Sequence, residues 1–379
     1  MKRSNRKPFT AAVLLLSVLG LSGCTAAATV PDADVYINED TLAQAASTET
    51  AAASASVSTG ALFESTDRNT DPAPIVVKGL AGTGSSEAAA VAASSASVAR
   101  TAGNAEDQPD DGKDHLEILF LGDSQFSNAR GSGTEIPEVV RGYLGEGAED
   151  CRIYNLGIEG SCAALKRSER DMKLDQWTST SFLGMAHLLK GDVSPAFLEK
   201  QYPDIAATFK KIKKDQLDFI VIDYGVNDFL SATEIYAEDD PYDPADFSFA
   251  YQKGLQLLNE ACPQATILCC TPCYAQFFAK DGAYLGDGNT LNNGYDCLSG
   301  YVGAVDYAYK EAENTILVDM YHGTRMDLDS YSADGYLSDG IHLTAQGRTA
   351  YGVVVARMIN KQRGLFTDDW SIIRIGVAY

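Results

Sequence analysis

Apolar residues in the C-terminal two-thirds of the chain gather into five short runs: Leu116 to Leu121, Arg152 to Leu156, Leu217 to Tyr224, Ala265 to Thr271 and Thr315 to Met320. Runs of this length with little polar alternation are the mark of strands buried on both faces. Between them, Ile205 to Lys214, Phe247 to Ala261 and Tyr301 to Asn314 carry apolar positions at helical spacing. A last helix is predicted from Thr344 to about Gln362, with Ala350, Val353, Val354, Met358 and Ile359 at core spacing and Thr344 as its N-cap. Strands alternating with helices predict an α/β fold, its five parallel strands covered on both faces. In such sheets ligands bind beyond the carboxyl ends of the strands. The residues just after each strand are therefore the ones to read for chemistry.

Upstream this pattern is absent. "AQAASTETAAASASVSTGA" and "GTGSSEAAAVAASSASVA" hold no large apolar residues at either period. Such composition buries too little apolar surface to offset the entropy of ordering. Residues 24–113 are expected to be a flexible Ala/Ser/Thr-rich linker, and residues 114–379 a single large domain. Residues 1–23 read as an export signal: Lys2, Arg3, Arg6 and Lys7 precede an apolar run from Phe9 to Leu21, which is shorter than the roughly 20 residues a bilayer needs. The run ends in Leu21-Ser22-Gly23-Cys24, which resembles the lipobox of bacterial lipoproteins. That resemblance implies cleavage before Cys24 and lipidation of its thiol. Several acyl chains together anchor stably, so the expected place is the extracytoplasmic side of a bacterial cell membrane.

Charge and cysteine narrow the classes further. A formal net charge of -22 at pH 7 disfavours nucleic acid and polyanionic surfaces as partners. Of eight cysteines, Cys262, Cys269, Cys270, Cys273 and Cys297 crowd one region, and "CTPC" is a C-x-x-C. A structural zinc usually draws on two such pairs, and the chain has one. Cys269 and Cys270 lie inside the apolar run "ATILCCT", where thiols behave as small buried hydrophobes. No metal or other cofactor is expected.

The strand ends carry four polar blocks. Gly122-Asp123-Ser124 follows the first strand, Asn155-Leu156-Gly157 the second and Gly225-Val226-Asn227-Asp228 the third, while Asp339-Gly340-Ile341-His342 precedes the last helix. Singly, each is ordinary turn composition. In this order they resemble the SGNH (GDSL-type) esterase and lipase family, over roughly Leu116 to Met358. The resemblance implies a flavodoxin-like three-layer α/β/α sandwich and a cofactor-free esterase. It makes Ser124 the nucleophile, has Gly157 and Asn227 complete an oxyanion hole, and gives Asp339 and His342 as the D-x-x-H block. Gln125 stands where leucine is common, and segments around Ala163 to Tyr202 and Glu234 to Phe247 exceed a minimal member.

The chemistry can also be argued from the residues. A serine hydroxyl is a poor nucleophile until an adjacent base takes its proton, and the chain has four histidines. His115 precedes the first strand, at the wrong end of the sheet. His187 lies in the helical segment "MAHLL". His322 follows the fifth strand and is the competitor. His342 is favoured because Asp339, three residues earlier, can orient its ring and stabilise the imidazolium. The N–H groups of Ser124 and Gly157 and the Asn227 amide can meet developing oxyanion charge; Asp123 and Asp228 read as turn and supporting residues. The expected protein is an extracytoplasmic Ser124–His342–Asp339 esterase acting on ester substrates, O-acetylated polysaccharide foremost. Transfer of the acyl group to a glycan would pass through the same acyl-serine. A non-catalytic surface-binding lipoprotein is the reading from another class, and the complete Ser, Gly, Asn and His set counts against it.

Overall fold

A computed structural model describes residues 116–144, 151–365 and 372–375. The export signal, Cys24, the linker and His115 lie outside them. Among the described residues seven strands occur in chain order: β1 (Leu116–Gly122), β2 (Cys151–Asn155), β3 (Phe219–Asp223), β4 (Thr266–Cys270), β5 (Gln276–Phe278), β6 (Tyr284–Asp287) and β7 (Thr315–Val318). Five of them form one parallel sheet in the order β2-β1-β3-β4-β7. Each predicted run yields one of these strands, with ends within two residues. β3 is buried along its whole length and β1 from Glu117 onward, as near-continuous apolar runs require. Phe120 stands opposite Asn155 on β2 and Val221 on β3. That register finishes β1, β2 and β3 at one rim, where the first three polar blocks begin.

The helices are α1 (Ser124–Ser127), α2 (Ile136–Tyr143), α3 (Phe182–Lys190), α4 (Ala196–Gln201), α5 (Pro203–Phe209), α6 (Val226–Leu230), α7 (Phe247–Ala261), α8 (Leu298–Lys310), α9 (Ala333–Tyr336) and α10 (Ala345–Gln362). α2 and α10 pack together on one face of the sheet, and α3, α7 and α8 form the other layer. The result is the expected three-layer α/β/α sandwich. The Thr344 hydroxyl accepts the Gly347 N–H at 3.1 Å, so α10 is capped where the sequence placed its cap. Two predicted helices shift. The segment expected from Ile205 to Lys214 is helical only to Phe209, because Lys210, Lys211, Lys213 and Lys214 would stack like charges along one turn. α8 starts three residues before Tyr301 and ends at Lys310, ahead of Asn314 with its left-handed φ of 51°.

The added segment between β2 and β3 is part of the core. Its helix α3 is buried along nearly its whole length and is pinned to α7 at Gly254, where a Cβ would overlap the Phe182 ring. Gly254→Ala should therefore overpack this contact and destabilise the domain by about 1–3 kcal/mol. The check is a urea transition whose midpoint falls with unchanged slope; an unmoved midpoint would mean that α3 sits loosely on α7.

Candidate functional site

β1 ends at Gly122, where a side chain would strike the Phe126 ring and the Asp223 carbonyl. Asp123 then caps α1, its Oδ1 accepting the Gln125 N–H at 2.9 Å. Ser124 is thus the first residue of a helix, with an N–H that has no partner inside that helix. Its Oγ lies 3.0 Å from His342 Nε2, and His342 Nδ1 lies 2.6 Å from Asp339 Oδ2. The second Asp339 oxygen accepts the N–H groups of Ile341 and His342 at 2.9 and 2.7 Å, which fixes the carboxylate under the ring. Burial pulls the His342 imidazolium down. The hydrogen bond and charge of Asp339 more than reverse this, with Asp123 and Glu159 adding, so its pKa lies above the ordinary 6.5. Asp339 is desolvated, yet its bonds from His342 and Ile341 hold it below the usual carboxylate value. This polarity suits a proton acceptor backed by a permanent anion.

The other two blocks contact the residues on either side of Ser124. Gly157 approaches α1 so closely that a Cβ would lie 2.8 Å from Phe126 Cβ and 3.0 Å from the Ser127 nitrogen. Its glycine is therefore required by packing against α1, a reason the sequence did not reveal. The Gly157 N–H donates to Asn155 Oδ1 at 2.9 Å, while Asn155 Nδ2 donates to the Phe126 carbonyl at 2.7 Å. Arg130 clamps the loop from outside, its guanidinium donating to the carbonyls of Asn155 at 3.0 Å and Gly157 at 2.6 Å. Asn227 lies in the first turn of α6; its Nδ2 donates to Asp123 Oδ2 at 2.9 Å and to the Ser161 carbonyl at 3.2 Å. The Gly157 backbone N–H and the Asn227 side-chain amide are thus both held in place by protein acceptors, and an oxyanion would have to share them. Asp228 does not face the serine: it is fully buried and accepts the N–H groups of Ala163 and Ala164 at 2.7 and 3.1 Å. Burial lifts its pKa to about 7 against those bonds.

The remaining candidates lie elsewhere. His187 is buried between Asp192, at 2.9 Å from its Nδ1, and the Trp177 ring. His322 pairs with Asp319 at 3.0 Å on the exposed end of β7. Cys269, Cys270 and Cys273 are buried free thiols, and burial raises the pKa of each. Among the described residues no group of three or more His, Cys, Asp or Glu is arranged to hold a metal ion.

Gln125, read only as a departure from leucine, ties two blocks together. Its Nε2 donates to the Ile341 carbonyl at 2.9 Å, bracing the loop that presents His342. Its Oε1 is buried with no hydrogen-bond partner. Gln125→Leu removes the brace and the orphaned oxygen together. The expected outcome is kcat lower by about 3- to 30-fold, since small misplacement of a catalytic group is costly, while the urea midpoint holds or rises as the unsatisfied acceptor goes. Unchanged kcat would show that the loop needs no brace.

The chain is similar in structure to a protein from Lactobacillus plantarum, at 18% identity and a TM-score of 0.43 over 67% of this chain and 99% of that one. It is similar also to Est24, a carbohydrate acetylesterase from Sinorhizobium meliloti, at 16% identity and 0.38 over 66% and 100%. A third is the native aryl esterase of M. smegmatis, at 14% and 0.39 over 66% and 100%. No curated protein matches the chain. The GDSL-like lipase/acylhydrolase family matches residues 118–352, a stretch that takes in all four strand-end blocks. The chain belongs to that family and is a hydrolase acting on ester bonds.

Proposed function

We propose that this esterase works through Ser124, His342 and Asp339 on O-acetyl esters of extracellular polysaccharide, held to the outer face of the cell membrane by lipidated Cys24. The observation that carries the mechanism is the continuous hydrogen-bonded chain from Ser124 Oγ through His342 to Asp339. His342 Nε2 takes the Ser124 proton as Oγ attacks the ester carbonyl carbon. Oxyanion charge falls to the Ser124 and Gly157 N–H groups and the Asn227 amide. His342 then returns the proton to the departing alcohol oxygen, leaving an acyl-serine, and a water activated by the same histidine releases the acid. Asp339 keeps the imidazole in one tautomer throughout. The placement rests on the basic, apolar and cysteine-ended start of the sequence. A tether followed by some 90 Ala/Ser/Thr-rich residues would have a mean reach of roughly 50 Å, which suits a polymer outside the membrane.

Ser124→Ala or His342→Ala should lower turnover of p-nitrophenyl acetate by roughly 10³-fold or more with the fold intact; activity kept by the serine variant would remove the mechanism. Asn227→Ala should cost about 10²-fold in kcat with little change in KM, and a mainly KM effect would make Asn227 a substrate-binding residue instead.

The base must be neutral to accept a proton, and its pKa is raised. The kcat/KM profile should therefore fall on acidification through an inflection above 6.5. Asp339→Asn should move that inflection down, and a fixed one would uncouple Asp339 from the base.

Cys24→Ala should release the protein from the membrane fraction with catalysis per molecule unchanged. A variant still in the pellet would point to another anchor.

A further inference from the structure

Between β4 and α8 the chain makes a two-stranded hairpin, β5–β6, that stands apart from the main sheet. Such a hairpin is marginal by itself, and this one is held at three points. Phe277 is buried and packs on Phe229 of α6, ring centroids 4.9 Å apart. The Gln276 N–H donates to the Gly340 carbonyl at 2.8 Å. At the base, the Tyr274 hydroxyl donates to Asp287 Oδ2 at 2.8 Å. The hairpin therefore touches both the helix that carries Asn227 and the loop that ends in His342.

Its outer face is aromatic. Phe278 is 43% exposed and Tyr284 56% exposed. They are paired across the two strands with centroids 5.6 Å apart and planes at 63°. The ladder shifts register between Phe277 and Phe278. Irregularities of this kind beside active sites re-aim a side chain. Phe278 also lies against the base-bearing loop, since a Cβ on Gly340 would sit 2.9 Å from its Cε2. Scattered exposed apolar residues need no explanation, whereas a paired aromatic patch at the rim of a site marks a contact surface.

We infer that Phe278 and Tyr284 form the subsite for the alcohol part of the ester, and that this part is a sugar ring. The inference rests on the serine-esterase reading above. In that chemistry the carbonyl oxygen turns toward Gly157 and Asn227, and the departing alcohol oxygen must lie by His342, which protonates it. A platform fastened to the His342 loop is on the alcohol side of the reacting carbon. A pyranose offers a flat face of C–H bonds to an aromatic ring and keeps its hydroxyl rim wet. The patch is open, and its hairpin turn carries exposed Lys280 and Asp281, which suits such a two-natured ligand better than an acyl chain.

The test pairs a sugar ester with an ester whose alcohol has no ring. For Phe278→Ala/Tyr284→Ala, KM for an acetylated xylo-oligosaccharide should rise about tenfold or more, with kcat nearly unchanged and ethyl acetate kinetics unaltered. Phe278→Tyr/Tyr284→Phe should restore the sugar KM. Equal loss on both substrates would reduce the pair to fold support and overturn the subsite. A rise in KM confined to p-nitrophenyl esters of longer acyl chains would place the rings on the acyl side and overturn it too. A binding arm separates this inference from the reaction. Ser124→Ala protein, titrated with xylotetraose in a calorimeter, should bind it, and adding the two alanines should weaken binding about tenfold or more. Absence of binding, or equal binding, ends the proposal even if esters are hydrolysed. Absence of all ester turnover would instead strike the serine mechanism, and the titration would still decide the platform.

Discussion

The carboxylate of Asp123 lies fully buried between the end of β1 and the start of α6, and the geometry around Ser124 depends on it. One oxygen fixes the first turn of α1 through the Gln125 N–H, and the other holds the Asn227 amide. The turn that carries Ser124 and the Asn227 amide are thus oriented by a single group. Taking a carboxylate out of water costs several kcal/mol, and burial accordingly raises its pKa to about 6 against the two hydrogen bonds and the nearby His342 charge. Asp223, one strand over, is also buried, and its pKa stands well above the ordinary value because of burial and the Asp123 charge. Two such carboxyls cannot both ionise cheaply. Burial and the Asp123 charge thus both disfavour ionisation of Asp223, whose Oδ2 accepts the Tyr351 hydroxyl at 2.8 Å.

The same economy of donors governs the second block. The Gly157 N–H is aimed by Asn155, Asn155 is aimed by the Phe126 carbonyl, and Arg130 holds the outer carbonyls of the loop. Each donor that an oxyanion would use is already positioned, so little reorganisation is left for the moment of reaction. The acceptors that position these donors also compete for them. For the Gly157 N–H the competitor is the neutral Asn155 amide oxygen, whereas for the Asn227 amide it is the Asp123 carboxylate.

Much of this was legible in the chain, for identifiable reasons. Buried parallel strands leave continuous apolar runs, so the sheet could be read to within two residues. Three of the polar blocks stood out because each ends such a run, and the fourth because it comes just before the last helix. Less was legible where tertiary contact decides. α3 reads as an insertion because nothing in "SFLGMAHLLK" tells that its Phe182 fits a glycine on α7. The hairpin β5–β6 has strands of three and four residues with a register shift, too short and irregular for a period-two signal. Gln125 read as a tolerated variation, since its bond to Ile341 spans 216 positions. The like-charge lysines that end α5 are plain in the sequence, but apolar spacing alone does not show where the helix stops.

The D-x-x-H spacing occurs twice, and comparing the two copies shows what sequence spacing decides and what topology decides. Asp319–His322 and Asp339–His342 build nearly the same local unit: the aspartate accepts its histidine's own N–H and that ring's Nδ1. Spacing alone makes an oriented imidazole. Asp319 follows β7, however, and β7 lies three strands from β1 in the sheet. At about 4.8 Å per strand, that is roughly 14 Å from the serine-bearing strand end, far beyond hydrogen-bond reach. His342 comes on a chain that crosses back over the rim before α10 begins. α10 is set against α2 because Gly352 has no side chain to meet Val139, and its Tyr351 ring meets Phe126 of α1 edge to face at 6.0 Å. The packing of the last helix, well away from the reacting atoms, thus selects which of two equivalent Asp–His pairs reaches Ser124.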